Sequence, residues 1–201
     1  MDALLFSTQK YAGLCRYAYD CVIGRKNTSV TLRFAFSPYE YHHLSGLQHL
    51  KHPGIHKNSE RVMKDVLEKK IDLELLQTAS NWEEVKESTL ARLEALAQLE
   101  FLMDGFQTIY GFSKQALLNA RPPIRTQINA DYLVKFQLQN GTTFFFSIRN
   151  RDTYCGCSLF TNDRLDYSAG QMKYIVLEKK KINLETGEET LLYRRASYHP
   201  E

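Results

Sequence analysis

The chain has 201 residues, of which 43% are hydrophobic, 12% aromatic and 24% charged, with a formal net charge of +3. That profile excludes a disordered or fibrous chain and describes an ordinary globular one, long enough to bury a core without disulfides or a metal, so its four cysteines need no structural role. Asp2, Lys10 and Arg16 interrupt the first 23 residues, and no apolar run approaches the roughly 18 residues of a membrane span, so the expectation is a cytoplasmic protein without membrane association.

Charge is uneven along the chain. Residues 1–57 hold seven basic and three acidic groups, residues 58–120 seven and eleven, and residues 121–201 twelve and nine. Basic flanks that meet in space make a face for a polyanion; the alternative is a set of solvated faces.

Residues 3–22 space Leu4, Tyr11, Leu14, Cys15, Ala18 and Val22 near the helical period, with Gly24 as a stop, which predicts one amphipathic helix. Thr28 to Phe36 alternates as a strand, and Tyr41 to Leu50 reads as a short helix after Ser37-Pro38, broken at Pro53-Gly54. Asn58 or Ser59 caps a helix bearing Val62 and Val66, and a further short helix covers Leu73 to Thr78. Ser80-Asn81-Trp82-Glu83 has the form of a capping box, and Val85, Leu93, Leu96, Leu99 and Met103 carry the helix behind it to Gly105.

The last third reads as strands. Asn140-Gly141 joins Tyr132–Gln139 to Thr142–Ile148 as a hairpin, and further strands fit Tyr154–Phe160, Lys173–Lys181 and Glu189–Arg195. The expected fold is one α+β domain over residues 1–201. Its helical half, about 1–120 with one early strand, packs on one face of a mostly antiparallel sheet formed by the β-rich half, about 121–201.

Five histidines, His42, His43, His49, His52 and His56, fall within fifteen residues. Imidazole suits proton transfer near neutral pH and also ligates metals. His49, His52 and His56 have the spacing of one helical face, but Pro53-Gly54 breaks it, and no metal or other cofactor is expected. Cys155-Gly156-Cys157 lacks the two-residue spacing of a redox pair and reads as small buried residues. Arg149, Arg151, Thr153, Tyr154, Ser158, Arg164, Tyr167, Lys173 and Tyr174 gather cations, hydroxyls and rings suited to a phosphodiester and unpaired bases; the alternative is the polar outer side of a half-buried sheet.

The run Tyr41-x-His43-Leu44-x-Gly46-Leu47, after a strand and before several helices, resembles the aromatic-x-His-Leu-Thr-Gly signature of a phage- and mobile-element-associated group in the barnase, EndoU, colicin and RelE-like nuclease superfamily. Ser45 keeps the hydroxyl of the usual threonine. Tyr154-x-x-x-Ser158 resembles a late segment of that group, with Cys157 where a proline is usual, and the resemblance spans most of residues 3–195.

The resemblance implies a metal-independent, toxin-like endoribonuclease of a phage or mobile element, in which a 2′-hydroxyl attacks the adjacent phosphorus. Within that reaction the expected roles are His43 as acid or base, Arg149 and Arg151 as phosphate clamps, Tyr154, Ser158 or Tyr174 as hydrogen-bonding partners, and Arg164 and Lys173, from the same cluster of cations and hydroxyls, as RNA-binding residues. RNA and an inhibitor or immunity protein are the implied partners. This mechanism needs His43 to converge with the late arginines; otherwise His43 satisfies a buried carbonyl while Leu44 and Leu47 pack the core. Two other functions stay open: a nucleic-acid-binding module without catalysis, and a protein-interaction or regulatory domain of a mobile element.

Overall fold

A computed structural model describes residues 2–138, 141–162 and 164–199. The elements follow in order as α1 (Ala3–Leu14), β1 (Tyr17–Arg25), β2 (Thr28–Ala35), α2 (Tyr41–Ser45), α3 (Ser59–Leu67), α4 (Leu73–Gln77), α5 (Trp82–Ala97) and α6 (Leu99–Gly105). Then come β3 (Thr108–Gly111), α7 (Lys114–Leu118), β4 (Tyr132–Leu138), β5 (Gly141–Asn150), β6 (Thr153–Thr161), β7 (Met172–Asn183) and β8 (Glu189–Arg194). The Asn140 half of the expected hairpin turn lies outside the described residues.

The expected first helix is shorter than its pattern suggested, ending after 12 residues. Asp2 caps α1 at its start, and the chain turns at Cys15. From Tyr17 the alternation of Tyr19, Cys21 and Ile23, all buried, takes over, and aromatic and branched side chains at period two favour a strand. The capping-box expectation is also corrected: the Ser80 hydroxyl donates to the Lys51 carbonyl, and Asn81 accepts the Lys51 amide and donates to the His49 carbonyl. These two residues fasten the loop before α3 to the start of α5. The expected long helix is interrupted at Gln98, dividing α5 from α6.

The larger correction concerns the sheet. It is not an open layer with helices on one face but a closed barrel of seven strands, in the order β1-β2-β6-β5-β4-β3-β7 and back to β1, with β8 added on β7. Two strands that the sequence pattern hid make closure possible. β1 pairs antiparallel with both β2 and β7, and β3 bridges β4 and β7. A short parallel contact at Phe34 and Tyr154 joins β2 to β6. Every strand of the ring thus has a neighbour on each side, with β2 and β6 meeting at this one pair.

One face of the strands carries Tyr19, Ile23, Phe34, Val134, Phe145 and Val176, and these share a core with α1, α5 and α6. The basic character of β7 is partly consumed here. Lys179 is fully buried and donates to the carbonyls of Met103 and Phe106 at 2.7 and 2.8 Å, satisfying the end of α6. Lys181 reaches Glu100 and Asp104, and the Tyr19 hydroxyl donates to Asp104. On the opposite face Leu133, Phe144 and Phe146 pack with Phe160 of β6 and under Phe112, Ile128 and Tyr167 from the connections before β4 and after β6.

Candidate active site

The residues from Tyr41 to Gly46 each have a physical task. The Tyr41 hydroxyl is buried against the Thr8 hydroxyl at 2.6 Å, which ties α2 to α1. Leu44 lies over Gly156 of β6, where a Cβ would stand 3.0 Å from Leu44 Cδ1 and 2.9 Å from Phe145 Cε2. Gly46 ends α2 in the left-handed conformation, φ +78°, and the side chain of Arg92 runs across it, 2.6 Å from where a Cβ would lie. With Tyr41, Leu44 and Ser45 turned inward, His43 is left facing out.

His43 opens on a cavity of about 750 Å³, outside the barrel, whose walls include His49, Arg92, Asn129, Ser158 and Tyr167. Arg92 comes from α5 and is half-buried. Its Nη1 donates to the His43 carbonyl at 3.4 Å, its guanidinium lies 5.8 Å from the Phe160 ring centre, and its Nε is buried without a hydrogen-bond partner. Among the described residues no carboxylate pairs with it, and burial holds its pKa below the usual value. A cation desolvated without an acid is costly, and it is a standing attraction for an anion.

The pKa of His49 is also lowered, first by partial withdrawal of its ring from water and then by the positive charges of Arg92 and His43. The Gln48 amide stands 3.1 Å from Nε2 of His49 and donates to it when that nitrogen is unprotonated. Burial pushes the Cys157 thiol up to about 12, and it donates to the Asn129 carbonyl, so it offers no thiolate.

A second cavity, of about 520 Å³, takes in Asp131, Tyr132, Arg149, Tyr154, Met172 and Tyr174. The predicted residues thus divide. His43 and Ser158 line the first cavity, and Arg149, Tyr154 and Tyr174 the second. Arg151 sits at the tip of the β5–β6 hairpin in the left-handed conformation, φ +55°, and its carbonyl accepts from Arg149 Nε. Lys173 and Arg164 are exposed, outside the lining of either cavity.

A bulge causes the division. Residues four apart on a regular strand share a face. In β6, however, Gly156 pairs with Ser147 and Ser158 with Phe146, which leaves Cys157 as an extra residue. Tyr154 therefore shares the inner face with Phe145, while Ser158 shares the outer face with Phe146.

The other histidines have local roles. His42 is buried, and burial together with His43 lowers its pKa. His52 Nδ1 accepts the Gly54 amide within its own turn. Among the described residues no three His, Cys, Asp or Glu side chains gather around a common point, so His49, His52 and His56 do not share a ligand face.

The sequence pattern does not single out Arg92, which the structure sets beside His43 and His49. The signal for Arg92 lay in α5: Thr89, Arg92 and Leu96 follow at spacings of three and four, which sets an arginine in a stripe of buried side chains.

A family model described as phage-Barnase-EndoU-ColicinE5/D-RelE like nuclease 4 matches residues 4–196, nearly the whole chain. The chain belongs to this phage-associated nuclease family. No curated protein and no solved structure matches it. Membership gives the nuclease a nucleic-acid substrate, and among the described residues no helix is long and apolar enough to cross a membrane.

Proposed function

We propose that this nuclease is an endoribonuclease that cuts single-stranded RNA in the His43 cavity without a metal ion. The observation that carries the reading is the half-buried guanidinium of Arg92, which meets no carboxylate among the described residues and lies beside two histidines and a serine. A phosphodiester brings the negative charge that this guanidinium lacks, and more charge gathers on its oxygens as the 2′-hydroxyl attacks phosphorus.

His49, kept neutral by its surroundings, accepts the proton of the attacking 2′-hydroxyl once the substrate displaces the Gln48 amide. His43 donates a proton to the departing 5′-oxygen. Arg92 holds the non-bridging oxygens through the guanidinium hydrogens not engaged by the His43 carbonyl, and Ser158 and Asn129 orient the ribose and phosphate. The oxygen–phosphorus bond formed at the 2′ position replaces the one broken at the 5′ position, leaving a 2′,3′-cyclic phosphate and a free 5′-hydroxyl. Such an enzyme in a phage or mobile element acts as a toxin-like agent held in check by an inhibitor protein.

Labelled single-stranded RNA incubated with the protein in chelator tests the proposal. Cleavage that falls by about a hundredfold or more in His43→Ala, His49→Ala and Arg92→Met supports it. A retained gel shift with uncut RNA points instead to a binding module.

A further inference from the structure

The second cavity is the open mouth of the barrel. Tyr132 at the start of β4 approaches Tyr154 from β6 at 5.1 Å and Tyr174 from β7 at 6.3 Å between ring centres. β5 separates β4 from β6, and β3 separates β4 from β7, so these rings meet only because all three point inward. Phe34, in the buried core, packs against Tyr154 with ring centres 5.9 Å apart.

At the rim are two opposite charges, Arg149 and Asp131. The Arg149 amide donates to Asp131 Oδ2 at 2.7 Å, while Arg149 Nε is turned to the Arg151 carbonyl. Among the described residues the Tyr174 hydroxyl has only the Met172 thioether, 2.9 Å away, as partner. Aromatic walls with a carboxylate and a guanidinium at the entrance match a flat, polar-edged ring that carries phosphate: hydroxyls and the carboxylate meet the base edge, and the guanidinium meets the backbone.

The mouth and the His43 cavity share one wall. The segment before β4 gives Asn129 to the first cavity and Asp131 to the second, which Tyr132 enters from the first residue of β4, and Cys157 fastens that segment to β6 through the Asn129 carbonyl. Tyr154 and Ser158 pair with Arg149 and Phe146, three steps apart on β5, which puts them about 10 Å apart at roughly 3.3 Å per residue. A single nucleic-acid strand crossing the rim at Asp131 can therefore enter both.

We infer that the barrel mouth is a subsite for an unpaired nucleobase of the RNA strand whose scissile phosphate lies at His43, with the base among Tyr132, Tyr154 and Tyr174 and its phosphate on Arg149. The inference rests on the ribonuclease reading but concerns binding, so the two fail separately.

The test measures binding of a 2′-O-methyl hexanucleotide, which has no attacking hydroxyl, by fluorescence anisotropy at fixed salt. Arg149→Ala, an exposed substitution, and Tyr174→Ala should each weaken binding about tenfold. Circular dichroism checks that Tyr174→Ala folds, and Arg149→Ala carries the test if it does not. Binding of the hexamer that is unaltered by Arg149→Ala overturns the inference, even if RNA is still cut at His43. Conversely, Arg149-dependent binding by a protein that never cuts RNA leaves the subsite standing and removes the ribonuclease reading.

Discussion

The Arg92 guanidinium donates to the main-chain carbonyl of His43 rather than to a carboxylate. The main positive charge of the cavity and its outward imidazole are thereby fixed to each other through backbone, and among the described residues no carboxylate neutralises that charge.

An unneutralised half-buried cation costs folding free energy, so Arg92→Met should be stability-neutral or stabilising by about 1 kcal/mol while cleavage falls by about two to three orders of magnitude. Thermal melts alongside RNA cleavage measure both. A melt lowered by many degrees with cleavage retained would mean that the guanidinium is a structural member.

Gly46→Ala should lower cleavage as well, because the new methyl meets Arg92 Cδ and the left-handed backbone resists a side chain. Gly156→Ala should destabilise by about 1–3 kcal/mol through Phe145 and Leu44. Urea titrations separate the two: the Gly156 variant moves the midpoint strongly, whereas the Gly46 variant loses proportionally more activity.

The pH dependence has a definite sign. His49 and His42 both have pKa values below the ordinary imidazole value, so the unfolded chain binds these protons more readily. Stability should therefore fall as pH drops below about 6.5. In Arg92→Met the loss of a nearby positive charge should raise the pKa of His49, which NMR titration of its ring protons reads directly.

Lys179 gives a second sign, on the alkaline side. Burial lowers its pKa to about 8, so between that value and about 10.4 the unfolded chain holds more protons, and native stability attributable to this group rises with pH. Relative to Lys179→Met, the wild type should gain up to about 3 kcal/mol across that window in paired denaturation curves. An unchanged difference would contradict the desolvated environment of this amine.

The sequence made the local elements more legible than their closure. α3, α4 and the late strands follow period and capping. β1 was hidden because Ala18 and Val22 continue the spacing of α1 by coincidence, and β3, with four residues, is too short for alternation to declare itself. Without those two strands the late sheet looks open. The motif from Tyr41 to Gly46 pointed to the position of His43, since each residue there answers a local demand. Its partner Arg92 is 49 residues away and becomes visible only when α5 packs beside α2. The β6 bulge has no sequence signature strong enough to reveal that Tyr154 and Ser158 part company.

The most direct measurement is the chemistry of the cut end. Mass spectrometry of RNA fragments produced in chelator should find a 2′,3′-cyclic phosphate on one fragment and a 5′-hydroxyl on the other, both absent with His43→Ala and with RNA methylated at the 2′-oxygen. Fragments that carry a 5′-phosphate and a 3′-hydroxyl, or equal cutting of the methylated strand, would contradict attack by the substrate hydroxyl in the His43 cavity.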